Sequence, residues 1–183
     1  MASIKLVMAV AVQEEWPLHH FDVTQAFVQA EMDTDVCMRL PEGSSVLIDV
    51  TVKLEKSIHG IKQAGRRWFR LLCKTLLENV GMVQCEADPC IGYNEPKQAR
   101  VILVVHVDDI LISGTEEYVG TVDQILDKKF PTNNLEEVTW YMGCAVDRDW
   151  DKGTLSVTQT TFTDTLLKHF EVRGYRKSLP LFL

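Results

Sequence analysis

The stretch from Val104 to Ile112, with the sequence VVHVDDILI, contains two adjacent acids inside an apolar, β-branched run. Such a run predicts a buried strand on each side, with Asp108 and Asp109 at the turn of a hairpin. Charged side chains beside a core that disfavours them need a physical reason. Two carboxylates at one turn can hold a hard cation such as Mg²⁺, which prefers oxygen ligands and keeps waters for a substrate phosphate. A solvated turn, where Asp is common, is the alternative.

A second acid stands far earlier in the chain, at the end of another short apolar-rich segment. Residues 20–27 read HFDVTQAF and contain Asp22. Asp22 and Asp108 come together only if the fold makes their segments neighbours. Phosphoryl transfer needs such an arrangement, since carboxylates from separate segments can clamp two metal ions that activate an attacking hydroxyl and neutralise the leaving group. The second acid therefore favours a metal site over a solvated turn.

The composition is that of an ordinary globular protein. The 183 residues, 46% hydrophobic and 25% charged, suit one domain with a real core. The net charge of −7 argues against a free-standing, strongly electrostatic nucleic-acid binder, but it permits an enzyme with acids at a metal site and bases along one groove. Five cysteines without C-x-x-C spacing argue against zinc and fit reduced thiols inside a cell. We predict neither a signal peptide nor a membrane span.

Hydrophobic periodicity predicts a mixture of helices, strands and hairpins. Strands are expected over residues 18–23, 36–40, 50–56, 90–94, 100–107, 110–113, 140–148 and 154–158. A first helix, capped by Ser3, is expected to bury Ile4, Val7, Met8 and Ala11. Further helices are expected over residues 63–80, 116–129 and 163–170, the first of them ended by Gly81. Because the order is not strict βαβ alternation, we predict an α+β fold with a mainly antiparallel sheet and helices packed on one face.

Four blocks of sequence carry a family resemblance. They are HFDVTQAF at 20–27 with VCMRLPEG at 36–43, KLEKSIHGIKQA at 53–64 running into RWF at 67–69, ADPC at 87–90 with HVDDILISG at 106–114, and LEEVTWYMG at 135–143 with LSVTQ at 155–159. In this order they resemble the reverse transcriptase of Ty1/copia-type LTR retrotransposons. The match covers nearly the whole chain.

The resemblance implies a fold, an activity and partners. The fold is a polymerase palm, expected as a single domain over residues 1–183 without the fingers upstream or the thumb and ribonuclease H downstream. The activity is RNA-directed DNA polymerisation by two-metal nucleotidyl transfer, with two Mg²⁺ or Mn²⁺ ions as cofactors. The partners are an RNA or DNA template-primer, a dNTP and the rest of the Pol polyprotein. A cytoplasmic particle is the implied location, and no membrane contact is expected.

The resemblance also implies roles for individual residues. Asp22 and Asp108 would ligate the metal ions, and Asp109 would complete the catalytic triad in a supporting role. The nucleotide would meet Gln25 and Ala26 through backbone groups, Phe27 as a steric gate under the sugar, and Gln63. The nucleic acid would meet Lys62, Arg66, Arg67 and His106. An ordinary core Phe, a polar first-turn Gln and a solvated basic helix face are the alternatives for these positions.

Two other functions stay open. The chain has His106 where the family usually has Tyr, and Gly65 where it usually has Pro, so a catalytically inactive relic is one alternative. A non-catalytic nucleic-acid-binding module, using the basic run from Lys62 to Lys74, is the other, although the acidic net charge counts against it. Autonomous polymerase activity is not expected, because positioning and electrostatic clamping carry most of phosphoryl transfer and a palm without fingers lacks much of both.

Overall fold

The computed structural model describes residues 2–41, 43, 50–94 and 100–171, and the chain divides into two compact units, Met1–Glu137 and Val138–Leu183. The helices of the first unit are α1 (Ala2–Gln13), α2 (Ala26–Gln29), α3 (Ala64–Val80) and α4 (Glu116–Lys129). Its strands are β1 (Leu18–Val23), β2 (Cys37–Arg39), β3 (Thr51–Lys53), β4 (Met82–Gln84), β5 (Ile91–Asn94), β6 (Val101–His106), β7 (Asp109–Gly114) and β8 (Thr132–Glu137). The expectation of a single domain over residues 1–183 stays a prediction.

A six-stranded sheet in the order β4-β5-β6-β7-β1-β8 forms the first unit, and every neighbouring pair in it is antiparallel. The predicted acid hairpin is confirmed, since β6 and β7 pair from Val101 opposite Gly114 to His106 opposite Asp109. Its strands form because β-branched residues pack well on a pleated, buried surface. The α+β class with a mainly antiparallel sheet is confirmed.

Helices α3 and α4 pack against one face of this sheet. They contribute Trp68, Leu72, Leu76, Val119, Val122 and Leu126 to the core, where these side chains meet Phe21, Val105, Ile110 and Ile112 of the strands. The i+4 spacing in α3 puts its apolar residues on one side, as predicted. Gly81, at φ 70°, ends that helix in the left-handed conformation that glycine adopts without strain.

Helix α1 buries the four residues that the sequence predicted, Ile4, Val7, Met8 and Ala11. It contacts β6 and β7 but contributes none of the four to the core around α3 and α4. Leu111 is fully buried as well, and side-chain alternation puts it on the face opposite Ile110, so β7 is covered on both faces. The predicted cap is wrong, because Ser3 lies inside α1 and its hydroxyl donates a hydrogen bond to the carboxylate of Asp88.

Two strands of the sheet were not predicted. β4 has three residues, too few for a periodic signal. β8 reads TNNLEE, which contains one apolar residue, and it forms because it pairs with the edge of β1. Elsewhere in this unit, β2 and β3 make a separate two-stranded ribbon.

The second unit contains β9 (Trp140–Tyr141), β10 (Cys144–Asp149), β11 (Thr154–Thr158) and helix α5 (Thr160–His169). Its three strands form one antiparallel sheet in the order β11-β10-β9. The strands expected over 140–148 and 154–158 predict a second hairpin around residues 151–153, and the pairing of β10 with β11 confirms it. Within the part of the chain that the structure describes, no helix combines the length and the apolar character needed to cross a bilayer.

Candidate active site

The fold brings together the three acids that the sequence singled out. Asp22 on β1 stands directly opposite Asp109 on β7. The next residue along β1, Val23, donates its N–H to the carbonyl oxygen of Asp108 at 3.0 Å. Carboxylates directly opposite each other across two strands repel, so this arrangement is one that a cation or a hydrogen-bond donor stabilises. Asp108 is exposed at the turn, while Asp22 and Asp109 are partly buried.

A histidine side chain contacts one of these carboxylates. Nε2 of His20 lies 2.7 Å from Oδ1 of Asp109, with side-chain exposures of 13% and 32%. His20 precedes Asp22 by two positions on β1, so both side chains lie on the same face of the sheet. His106 pairs with Asp109 from the other side, on β6, and its side chain is exposed. The sequence showed that both histidines flank acids, but only the register shows that Asp109 stands between Asp22 and His106.

The turn between β6 and β7 has an unusual backbone. Val107 has φ 60°, in the left-handed region that β-branched residues rarely adopt. The indole N–H of Trp68, a residue 1% exposed, donates to the carbonyl oxygen of Val107 at 2.6 Å. The indole ring also packs edge-on against Phe130, with centroids 5.0 Å apart. A buried side chain of α3 therefore holds the turn that presents Asp108.

Asn133 of β8 is a neighbour of the site that sequence reasoning missed. It stands opposite Asp22 on the side away from Asp109. Its amide donates to the hydroxyl of Thr24 at 3.2 Å, and the N–H of Thr24 donates to the carbonyl of Pro131 at 2.8 Å. The segment that leaves Asp22 is thus fixed to the start of β8. The lack of apolar periodicity in β8 left no signal for this contact.

The residues assigned to the nucleotide follow Asp22 along the chain. Gln25 adopts φ 53° just before α2, Ala26 is buried, and Phe27 is half-buried. The ring of Phe27 meets the ring of His59 edge-on at a centroid distance of 4.5 Å. Gln63 lies at the start of α3, and its Nε2 donates a hydrogen bond to Oγ1 of Thr34 at 3.3 Å.

The residues assigned to nucleic acid differ in their surroundings. Lys62, Arg66 and His106 are exposed. Arg67 is anchored, because its Nη1 lies 2.8 Å from Oδ2 of Asp33 and its Nε donates to the carbonyl of Glu31 at 3.1 Å. The sequence grouped these four residues together, whereas the structure separates one fixed guanidinium from three exposed side chains.

The acids offer a particular kind of metal site. Among residues 2–41, 43, 50–94 and 100–171, no three His, Cys, Asp or Glu side chains converge closely enough to enclose an ion. Mg²⁺ is commonly bound through one or two carboxylates plus substrate phosphates rather than by a full protein cage. Asp22 and Asp108, from neighbouring segments, carry hard oxygen atoms that would suit such an open site. The donor set therefore fits an ion shared with a phosphate-bearing substrate.

Known proteins of one family resemble the chain along nearly its whole length. A family model described as reverse transcriptase (RNA-dependent DNA polymerase) matches residues 1–182. The chain is 34% identical over 153 residues to the Retrovirus-related Pol polyprotein from transposon RE1 of Arabidopsis thaliana. The matched region is 80% of this chain and 10% of that protein. It is 25% identical over 186 residues to the Retrovirus-related Pol polyprotein from transposon TNT 1-94 of Nicotiana tabacum, which covers 99% of this chain and 14% of that protein.

A yeast relative is more distant. The Transposon Ty1-DR4 Gag-Pol polyprotein of Saccharomyces cerevisiae is 23% identical over 105 residues, 57% of this chain and 6% of that protein. The resemblance to Ty1/copia-type elements is confirmed by these matches. The chain spans about a tenth of the length of the curated relatives it matches.

Proposed function

This chain belongs to the reverse transcriptase (RNA-dependent DNA polymerase) family, and from that membership we propose that it supplies the nucleotidyl-transfer site of a retrotransposon Pol polyprotein. The observation that carries the proposal is the pairing of Asp22 with Asp109 beside the turn that presents Asp108. Acids brought together from separate strands can hold the two metal ions of phosphoryl transfer.

Asp22 and Asp108 are the proposed ligands of two divalent cations, Mg²⁺ or Mn²⁺. When bound, the cations supply charge neutralisation at the nucleotide phosphates and activation of the primer hydroxyl. The chain itself contributes position. The N–H of Val23 ties Asp108 to β1, the indole of Trp68 holds the turn, and His20 orients Asp109. Asp109 is accordingly a supporting acid, since one of its oxygens already accepts a hydrogen bond.

The incoming dNTP is proposed to lie along the segment that follows Asp22. Backbone groups of Gln25 and Ala26 would meet the nucleotide, and Phe27 would lie beneath its sugar. The edge-on contact with His59 supports the gate role, because it restrains the ring of Phe27 that would exclude a 2′-hydroxyl. Gln63 would reach the base or template after exchanging its contact with Thr34.

The template-primer is proposed to approach through Lys62, Arg66 and His106, which are exposed. Lys62 and Arg66 can neutralise backbone phosphates, which is the sequence-independent part of nucleic-acid binding, and the imidazole of His106 can form a hydrogen bond with the strand. Arg67 would act differently, because its guanidinium is already fixed to Asp33 and Glu31. Its proposed part is to hold the start of α3 against the segment before β2.

Metal binding tests the proposal directly. Binding of Mn²⁺ to the 183-residue chain is measured by electron paramagnetic resonance, with and without a dNTP and a template-primer. We expect weak binding alone and tighter binding with the dNTP, because among the described residues no three metal-ligating side chains enclose an ion. Asp108→Asn should weaken Mn²⁺ binding at least about tenfold.

Asp151→Asn is the matched control, since Asp151 is an exposed acid in the turn between β10 and β11. It should bind Mn²⁺ like the unmodified chain. Primer extension is then assayed with the neighbouring Pol segments restored, where Asp108→Asn should abolish the product. A variant that keeps both Mn²⁺ binding and extension would exclude Asp108 as a ligand. Template binding that is indifferent to metal and to Asp108 would favour the non-catalytic module.

A further inference from the structure

A pocket of about 400 Å³ lies between α2 and α3 and shares no lining residue with the acid turn. Its walls include Gln29 and Glu31 from one segment and Arg67, Arg70 and Lys74 from α3. Of these described lining residues, three carry positive charge and one, Glu31, is acidic. The chain as a whole has a net charge of −7, so this is a local concentration of cations in an acidic protein.

The cations line up because of the helix period. Arg67, Arg70 and Lys74 are separated by three and four positions, so all three project from the same side of α3 into the pocket. Like charges at this spacing repel and destabilise a helix unless an anion lies between them. The opposite side of the same helix carries Trp68 and Leu72, which are buried in the core. The position of the charges is thus set by the packing of α3.

Neighbouring acids compensate this charge only in part. Arg67 is paired with Asp33 at 2.8 Å, which fixes one guanidinium at the pocket wall. Lys74 lies 3.9 Å from Glu78, but both side chains are more than 60% exposed, so that pair contributes little. Arg70 is exposed and lines the pocket between them. A planar guanidinium and a nearby ammonium are the usual receptors for a phosphate group.

We propose that this pocket binds the backbone phosphates of a nucleic-acid strand through Arg70 and Lys74, with Arg67 as its fixed wall. Exposed cations continue along α3 from Arg66 to Lys74, a rise of about 12 Å, which is longer than one phosphate group needs. The length of the row favours a strand over a free phosphate compound. The inference extends the proposed function to a second contact with nucleic acid, and it needs no metal ion.

The test measures binding of a fluorescent twelve-nucleotide single-stranded RNA to the 183-residue chain by anisotropy, in EDTA, over a series of salt concentrations. The double variant Arg70→Gln/Lys74→Gln should bind at least about tenfold more weakly near 50 mM salt. The slope of log affinity against log salt should fall by about 1.4, as expected for two lost phosphate contacts on a single strand. Lys128→Gln/Lys129→Gln on α4 is the matched control, because it removes the same charge from another exposed helix surface.

A gain of affinity separates a binding site from a structural effect. Glu31→Gln removes the carboxylate that lines the pocket, so it should tighten RNA binding, whereas damage to the fold would weaken it. Circular dichroism and thermal unfolding check that each variant is folded. Equal affinity and slope for Arg70→Gln/Lys74→Gln and the unmodified chain would overturn the proposal, and so would an equal loss in the α4 control.

Two further measurements identify the ligand and the site. Calorimetric titration with inorganic pyrophosphate tests whether the pocket binds a free phosphate compound instead. The assignment to a strand would be overturned if Arg70→Gln/Lys74→Gln lost pyrophosphate binding but kept its RNA affinity. Mn²⁺ binding should be the same in this double variant as in the unmodified chain. If Asp108→Asn loses Mn²⁺ binding but keeps RNA binding, the two sites are separate. If no chain binds Mn²⁺, the result counts against the proposed function and leaves the strand-binding pocket unaffected.

Discussion

The indole N–H of Trp68 lies 2.6 Å from the carbonyl oxygen of Val107, and this hydrogen bond connects the core to the turn that presents Asp108. Trp68 is 1% exposed and packs against Phe130, so its position is set by the interior of the first unit. A catalytic group is positioned well when its support is itself locked by packing. A buried residue of α3 therefore contributes to the support of this turn, beside the N–H of Val23, which donates to the carbonyl of Asp108.

Replacing Trp68 by Phe should test that support. The ring is largely kept, but Val107 loses its donor and a small cavity remains, so the free energy of unfolding should fall by about 1–3 kcal/mol. Denaturant unfolding followed by circular dichroism measures the change. Trp140→Phe, at a position 46% exposed, makes the same substitution on the surface and should change stability by less than about 0.5 kcal/mol. Equal effects at the two positions would contradict the role of the hydrogen bond.

The left-handed conformation of Val107 predicts a stabilising substitution. Val107 has φ 60° and is 45% exposed, so its β-branched side chain costs about 1 kcal/mol of backbone strain and contributes little burial. Val107→Asn should raise the free energy of unfolding by about 1 kcal/mol, because Asn tolerates this region. Val157→Asn is the control, since Val157 is 43% exposed but lies in the extended strand β11. Lower stability in Val107→Asn would show that the strain is relieved in another way.

The contact between His20 and Asp109 predicts a loss that metal can partly reverse. His20→Ala removes the group 2.7 Å from Oδ1 of Asp109 and leaves that carboxylate opposite Asp22, so stability should fall by about 1.5–3 kcal/mol. Millimolar Mn²⁺ should recover more stability in this variant than in the unmodified chain, because a bound cation also separates the two charges. His169→Ala, in the exposed helix α5, should lose less than about 0.5 kcal/mol and gain nothing from Mn²⁺. Similar Mn²⁺ effects in all three chains would argue against a cation between these acids.

The thiols of Cys73 and Cys37 should be alkylated at different rates, because burial raises the pKa of the Cys73 thiol. Burial, and secondarily the neighbouring Cys90, raises the pKa of the Cys73 thiol from 9.0 to about 11. Because this folded-state pKa lies above the unfolded value, the protonated thiol contributes stability that is fully present below about pH 8.5 and is lost as the pH rises towards 11. At pH 8, iodoacetamide should modify Cys73 at least about 100-fold more slowly than the exposed Cys37, as read by mass spectrometry of peptides. Urea should abolish the difference, and rapid labelling of Cys73 in the folded chain would contradict its burial.

Much of the fold followed from local pattern. The apolar run around Asp108 predicted β6, its turn and β7, and residues 18–23 predicted β1 with the same bounds as the structure. Strands β6 and β7 were readable because burial on both faces leaves an almost continuous apolar run. The long helix α3 was readable because Trp68, Leu72 and Leu76 repeat at its period. Strand β8 could not be predicted from the sequence, because it has no hydrophobic pattern and forms through its pairing with β1.

The sequence by itself determined the chemistry that is available at the site. It supplied carboxylate oxygens at Asp22, Asp108 and Asp109 and the order of motifs that the family match confirms. These are properties of residue types and of neighbours along the chain, so no folding is needed to read them.

Only the tertiary structure decided which of these groups meet. Antiparallel register brings Asp22 opposite Asp109 and joins His20 to that same carboxylate, and the packing of α3 directs Trp68 to the carbonyl of Val107. It also separates the cations of α3, since Arg67 pairs with Asp33 while Arg70 lines a pocket. Each of these contacts joins segments far apart in the chain, and the strand register and helix packing that place them depend on the whole first unit rather than on a local pattern.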